Sequence, residues 1–118
     1  SRIDQKAIER EIYYSVKEII SPVLYRLNNN LIVRLIGLKE KITVNGKALA
    51  FLQEKLKGQK VFLKFDDQKY DKSNCLLCYL YLKNQTLINA HLIKAKLAEV
   101  DVASDFKYKT KFLNMGEG

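Results

Sequence analysis

Apolar and polar side chains alternate over residues 60–66. Val61, Leu63 and Phe65 fall on one face and Lys60, Phe62 and Lys64 on the other, which predicts a half-buried strand. Residues 66–74 are polar, and their Asp, Asn and Ser content suits a turn. Residues 75–82 are apolar on both faces, the mark of a strand covered from two sides. Lys83, Asn84 and Gln85 turn the chain, and Thr86 or Asn89 can open a helix through Lys96. Leu97, Ala98 and Val100 then return as a short strand.

Upstream the pattern is less regular. Residues 1–11 are charged, with Ile3, Ala7 and Ile8 at helical spacing, and read as a short helix or a ragged lead-in. Residues 12–20 fit a first strand, which Pro22 ends. Two further strands are predicted over 23–27 and 31–38. They are joined by Asn28, Asn29 and Asn30, a residue type that tolerates the left-handed conformation of a tight hairpin. Residues 39–44 read as a charged loop. Asn45 is placed to cap a helix whose stripe is Ala48, Leu49, Phe51, Leu52 and Leu56, with Gly58 just past its end. Ser104 is placed to cap a last helix over 105–114, where Phe106, Lys109, Phe112 and Leu113 recur at three and four residues. The order of elements implies an α+β, mainly β fold: a five-stranded Greek-key barrel of the OB type with two or three flanking helices. Its expected bounds are a lead-in with the possible first strand over 1–20, the barrel domain over 21–115, and a frayed tail over 116–118.

Composition narrows the class of partner. The 118 residues suffice for one domain with its own core. A net charge of +8 favours an anionic partner, nucleic acid before an acidic protein or a membrane surface. No run approaches the roughly 18 apolar residues of a membrane span, so no membrane association is expected. A start at Ser1 reads as a processed chain or an excised piece, with the rest of a larger chain as a partner. The two cysteines, Cys75 and Cys78, lie three apart on a predicted strand and point to opposite faces. They are read as core thiols of a reducing, cytoplasmic compartment, with no metal and no cofactor implied.

The motifs in this order resemble those of the staphylococcal (thermonuclease-like) nuclease domain. They are Lys-Val-x-Leu-x-Phe-Asp from Lys60, Tyr70-Asp71-Lys72, Leu-x-Tyr-x-Tyr from Leu77, Ile88-Asn89-Ala90, and Leu97-Ala98 before Val100. Val33-Arg34-Leu35-Ile36-Gly37 resembles that family's third strand, and the likeness spans roughly residues 22–115. The resemblance implies the barrel fold and a nuclease that holds calcium with aspartates, directs water with a glutamate and clamps phosphate with two arginines. Arg34 stands at the first arginine position. Ser21, or Pro22, stands where the first calcium aspartate belongs, and Cys75 where the second arginine belongs. Lys39-Glu40-Lys41-Ile42 replaces an expected Asp-Thr-Pro-Glu, leaving Glu40 as the one nearby carboxylate between two lysines. Lys72 matches a lysine that touches substrate phosphate, with Ser73 in place of the usual aromatic neighbour. Asn89 matches a helix-start asparagine, read here as a buried amide bonding to backbone. Lys96 stands where the family has a glycine, a position suited to positive φ. His91 lacks any partner motif and reads as part of a helix surface.

Arg34 is thus the only retained catalytic position, and a catalytically degenerate domain is expected, with no calcium-dependent cleavage. Lys55, Lys57, Lys60, Lys64, Lys69 and Lys72 cluster around the strand that starts at Lys60, with Phe62 on its outward face among them unless the terminal helix covers it. Arg34, Lys60, Phe62, Lys64 and Lys72 are the candidate nucleic-acid contacts, DNA before RNA. Domains resembling this one occur as free nucleases and as appendages of other proteins, DNA-modifying methyltransferases among them. The expected role is a binding or positioning module of such a protein. Two alternatives stand beside it: a metal-dependent phosphodiesterase built on Glu40 and Arg34, and a protein-interaction scaffold.

Overall fold

Residues 12–117 of the chain are described in a computed structural model; residues 1–11, and with them the predicted lead-in, lie outside that range. The strands are β1 (Tyr14–Ser21), β2 (Leu24–Leu27), β3 (Ile32–Leu35), β4 (Leu38–Glu40), β5 (Lys60–Lys64), β6 (Leu76–Leu82) and β7 (Ala98–Val100). The helices are α1 (Asn45–Leu56), α2 (Ile88–Lys94) and α3 (Lys109–Glu117), with a 3-10 turn at Ile42–Val44. Five strands close a barrel in the order β1-β2-β3-β6-β5, while β4 and β7 form a separate antiparallel pair. The expected α+β, mainly β class with a five-stranded barrel is therefore the observed one.

Closure follows from local features. Register shifts in β1 between Val16 and Glu18 and between Ile19 and Ser21 bend the strand. It can then pair with β2 along its length and with β5 through Tyr14 and Ser15. In β2 and β3 the alternation is plain: Tyr25, Leu27, Val33 and Leu35 are buried, which leaves Arg26 and Arg34 on the opposite face. The hairpin between them turns at Asn30, whose φ is 67°. In β6, Cys78, Leu80 and Leu82 face the barrel interior, and Tyr79 is buried outside it against Tyr108 and Phe112. That double coverage explains the unbroken apolar run.

Several expected boundaries move. The strand predicted over 31–38 breaks at Gly37 (φ +77°), where the Phe106 ring lies 2.4 Å from where a Cβ would stand. Only a glycine allows that ring to lie on the backbone, so β3 ends and β4 begins on either side of it. Leu38, expected to end that strand, and residues 39–40, expected in a loop, form β4 against β7. Asn45 does not cap α1; it is the first helical residue, and its amide donates to Glu40 Oε1 at 2.9 Å. Neither Thr86 nor Asn89 caps α2, which begins at Ile88 after Leu87. The last helix starts at Lys109 and continues to Glu117, because Ser104 donates its hydroxyl to Asp101 and Phe106 turns inward onto Gly37. Lys96 keeps the positive φ (62°) of the glycine it replaces. Leu97 donates to Leu92 and Lys96 to Ile93, the Schellman pattern of bonds that closes α2. Its left-handed backbone costs roughly 1–2 kcal/mol, and its ammonium donates to the Gly116 carbonyl at 2.6 Å. Among the described residues no helix is long and apolar enough to cross a membrane.

Candidate functional site

The alternation of β3 turns Arg34 away from the core, and the turn after residue 70 brings Asp71 to meet it. Arg34 Nε donates to Asp71 Oδ2 at 2.7 Å, with the two side chains 35% and 18% exposed. Asp71 also accepts the backbone N–H groups of Ser73 and Cys75, each at 2.9 Å. Burial by itself would raise this carboxyl; the Cys75 amide, the Arg34 guanidinium and the Ser73 amide outweigh it and hold Asp71 below the usual carboxylate range. Arg34 thus spends its Nε donor fastening the loop between β5 and β6 to β3.

Around this pair lies a cleft of about 830 Å³ between the β3–β4 turn, the β5–β6 loop and the segment leading to α3. Its charged lining is Asp66, Asp67, Asp71, Asp101 and Asp105 against Arg34 and Lys107. In a chain of net charge +8, the sign is locally inverted. Three of the aspartates are engaged in holding the walls. Asp66 accepts from the Tyr79 hydroxyl at 2.5 Å and the Lys107 amide at 2.8 Å. Burial would raise it, but the Tyr79 hydroxyl, the amides of Lys107 and Asp67 and the Lys107 charge together lower it. Asp101 accepts from the Ser104 hydroxyl at 2.6 Å and the Ala103 amide at 3.2 Å. Asp71 is held as described.

A calcium ion of the kind the resemblance implies does not fit these residues. Among the described residues no three His, Cys, Asp or Glu side chains converge as a metal-binding group. Glu40 lies on β4 and accepts from Asn45, and Lys39 beside it pairs across to Glu99 in the β4–β7 register. Ser21 accepts the Val23 amide at 3.3 Å. Cys75 and Cys78 are both free, and burial pushes the Cys78 thiol far up.

The outer face of β5 carries the lysines expected there, but not an exposed Phe62. Phe62 is 1% exposed. It does lie on the outward face, stacked on Tyr81 at 5.0 Å and met edge-on by Tyr13 at 6.0 Å. A cross-strand aromatic pair buried itself where alternation alone had left a solvent-facing ring. The Lys64 ammonium lies 5.4 Å from the Tyr81 ring, and Lys60 donates to Ser15 Oγ at 3.1 Å. Arg34 stands on the far side of β6 from these lysines, so the predicted contacts do not form one cluster. Lys72 is exposed in the turn after Asp71. Burial, followed by the charges of Lys55 and Lys94, lowers His91. Asn89 is fully buried: its Oδ1 accepts the Leu80 amide at 3.0 Å, and its Nδ2 donates to the Ile36 carbonyl at 3.1 Å.

Period-two reading missed Phe65 and Tyr70. Phe65 was expected inside with Val61 and Leu63, yet it is 48% exposed, and Tyr70 is 51% exposed. β5 ends at Lys64, so the alternation no longer applies to Phe65. The available signal was the pair Asp66-Asp67 directly after it.

The family model of the staphylococcal nuclease homologue matches residues 38–117, while no curated protein matches the chain. The matched span runs from β4 to α3 and includes the loop and the segment that wall the cleft. It takes in well over half of the chain, which therefore belongs to the staphylococcal nuclease homologue family.

Proposed function

We propose that this domain is a catalytically degenerate member of its family that binds nucleic acid, DNA before RNA, and positions it for a larger, DNA-modifying protein. The observation that carries the proposal is the state of Arg34: the one clamp arginine is paired to Asp71 inside a cleft where aspartates outnumber cations. A phosphate entering there meets net negative charge, and the Arg34 guanidinium is already neutralised by Asp71. The positive charge lies elsewhere, on the exposed lysines of β5 and of the loop that follows it, including Lys60, Lys64 and Lys72. Exposed lysines bind phosphate without reading sequence.

The test is binding and cleavage measured on one preparation. Fluorescence anisotropy should show weak, sequence-independent binding of oligonucleotides. Its log-affinity should fall with log-salt by roughly 0.7–0.9 for each phosphate neutralised. Charge reversal of Lys60 and Lys64 together should flatten that slope. Millimolar calcium should neither digest single-stranded DNA nor raise the melting temperature, since an ion that does not bind does not stabilise. Digestion that is lost on Arg34→Ala or Glu40→Gln would establish the phosphodiesterase reading instead. An absence of binding at low salt would favour a protein-interaction scaffold.

A further inference from the structure

We infer that the groove between the β4–β7 pair and helices α2 and α3 docks an acidic peptide segment of a partner protein, one that carries aliphatic side chains among its carboxylates. The groove has a volume of about 540 Å³, within the range of ligand clefts. Ile93, Val100, Val102 and Leu113 give it an aliphatic floor. Among the described residues its charges are Lys39, Lys41 and Lys96 against the one carboxylate of Glu99, and no aromatic ring lines it. Without a ring it offers bases nothing to stack on. Positive charge over aliphatic surface complements a chain in which carboxylates and aliphatic side chains alternate. The inference is separate from the proposed nucleic-acid binding, whose residues Arg34, Lys60, Lys64 and Lys72 are not among those lining the groove.

Local structure sorts the charges that make this groove. Lys41 continues the extended backbone of β4, so it shares a side with Lys39 two residues before it, and both line the groove. Glu40 between them turns the other way, where the Asn45 amide donates to it at 2.9 Å. Lys39 stands opposite Glu99 in the β4–β7 register. Among the described residues, none of the three lysines reaches ion-pair distance of a carboxylate. Lys96 enters on the left-handed turn that closes α2. Its ammonium donates to the Gly116 carbonyl at 2.6 Å and keeps its remaining N–H donors for a ligand. Val102, 62% exposed, stands on a fastened turn. The Ala103 amide and Ser104 hydroxyl donate to Asp101, and the Lys109 ammonium donates to the Val102 carbonyl at 2.8 Å. The aliphatic side chain is thus presented with little ordering cost on binding.

The probe is a short fluorescein-labelled peptide of Asp, Glu, Leu and Val, titrated at low salt with the 118-residue chain and read by anisotropy. Two control peptides carry Lys in place of the acids or Ser in place of the aliphatic residues. Each should bind at least about tenfold more weakly. Lys39→Glu/Lys41→Glu should lower the affinity for the acidic peptide by at least about tenfold. Val102→Ser should lower it by about fivefold without changing its salt dependence. Lys96→Gly should lower it by about threefold while raising the melting temperature, because glycine relieves the left-handed strain. Unfolding cannot account for a weakening in that variant, and an unchanged melting temperature verifies the fold of the others. The inference is overturned if the acidic peptide does not bind, if either control peptide binds as well, or if the lysine or Val102 variant binds as tightly as wild type. A single-stranded oligonucleotide that loses as much affinity as the peptide on Val102→Ser would make the groove a nucleic-acid site and overturn it too.

Discussion

The cleft and the outer side of the β5–β6 loop are two surfaces of one segment, and they differ in sign and in engagement. Inside, Asp66 and Asp71 are tied by several hydrogen bonds each, and Arg34 gives its Nε–H to Asp71. Outside, Phe65 and Tyr70 are about half exposed among lysines. The same aspartates that make the cleft unsuited to phosphate anchor the residues that face solvent. The hydrogen bonds that engage Asp66 and Asp71 in the cleft thus also hold the loop whose other residues face solvent. Net charge alone conceals this contrast, because a chain of +8 lines this cleft with five aspartates against Arg34 and Lys107.

The most damaging way to disturb both surfaces is through Asn89, which ties the backbone of β6 at Leu80 to the turn at Ile36 beneath the cleft. Asn89→Ala leaves the Leu80 amide and the Ile36 carbonyl without that side chain. At roughly 1–3 kcal/mol for each orphaned group, a loss of about 4 kcal/mol is expected. The melting temperature should fall by roughly 15–25 °C. Calorimetry measures this directly, and a fall of only a few degrees would show that the two surfaces do not depend on this amide.

Asp71→Asn separates the surfaces more finely, since it keeps the shape but removes the charge that holds Arg34. The hydrogen bonds to charged groups that it weakens suggest a cost of about 2 kcal/mol near neutral pH. The pH dependence has a definite sign. Asp71 in the folded protein lies below its ordinary value, so its contribution is present above the unfolded carboxylate value near 3.9 and disappears as pH falls through the folded one. Urea unfolding across a pH series should show wild type and variant differing at pH 7, with the gap narrowing as pH falls below the unfolded carboxylate value. A gap that does not narrow with falling pH would mean that the charge of Asp71 is not what stabilises the loop.

Sequence reading reached the barrel because its signals are local and strong: alternation in β2, β3 and β5, an apolar run in β6, and asparagines at the β2–β3 hairpin. It also anticipated Asn89 as a buried amide; at Lys96 the resemblance marked a glycine position but left open whether the backbone differs there or keeps the strained conformation, and the observed φ is positive. It failed where a long-range partner decides the outcome. Phe62 was burial-ambiguous until Tyr13 and Tyr81 were placed beside it. The Arg34–Asp71 pair joins residues 37 apart in sequence, and no spacing rule announces it. The start of α3 shifted because Phe106 is drawn to the one backbone position, Gly37, that has no side chain in its way.

The smallest effect tests the comparison most sharply. Asp67 and Asp105 line the cleft and are exposed, with Asp67 on the loop itself and Asp105 across the cleft. If nucleic acid lies outside the loop, these carboxylates act on it only through solvent, at separations on the order of 10 Å. Charges so placed in water repel weakly, and salt near 0.15 M screens them over about 8 Å. Asp67→Asn/Asp105→Asn should then tighten oligonucleotide binding by about twofold at low salt and leave it unchanged near physiological salt. If the strand entered the cleft, the same two charges would lie near its phosphates, where the repulsion is several times larger and less screened. Removing them would then raise affinity by more than tenfold and carry the gain into physiological salt. Anisotropy titrations of this variant at two salt concentrations therefore distinguish a strand on the loop's outer side from one in the cleft, and the small, salt-sensitive gain is the expected result.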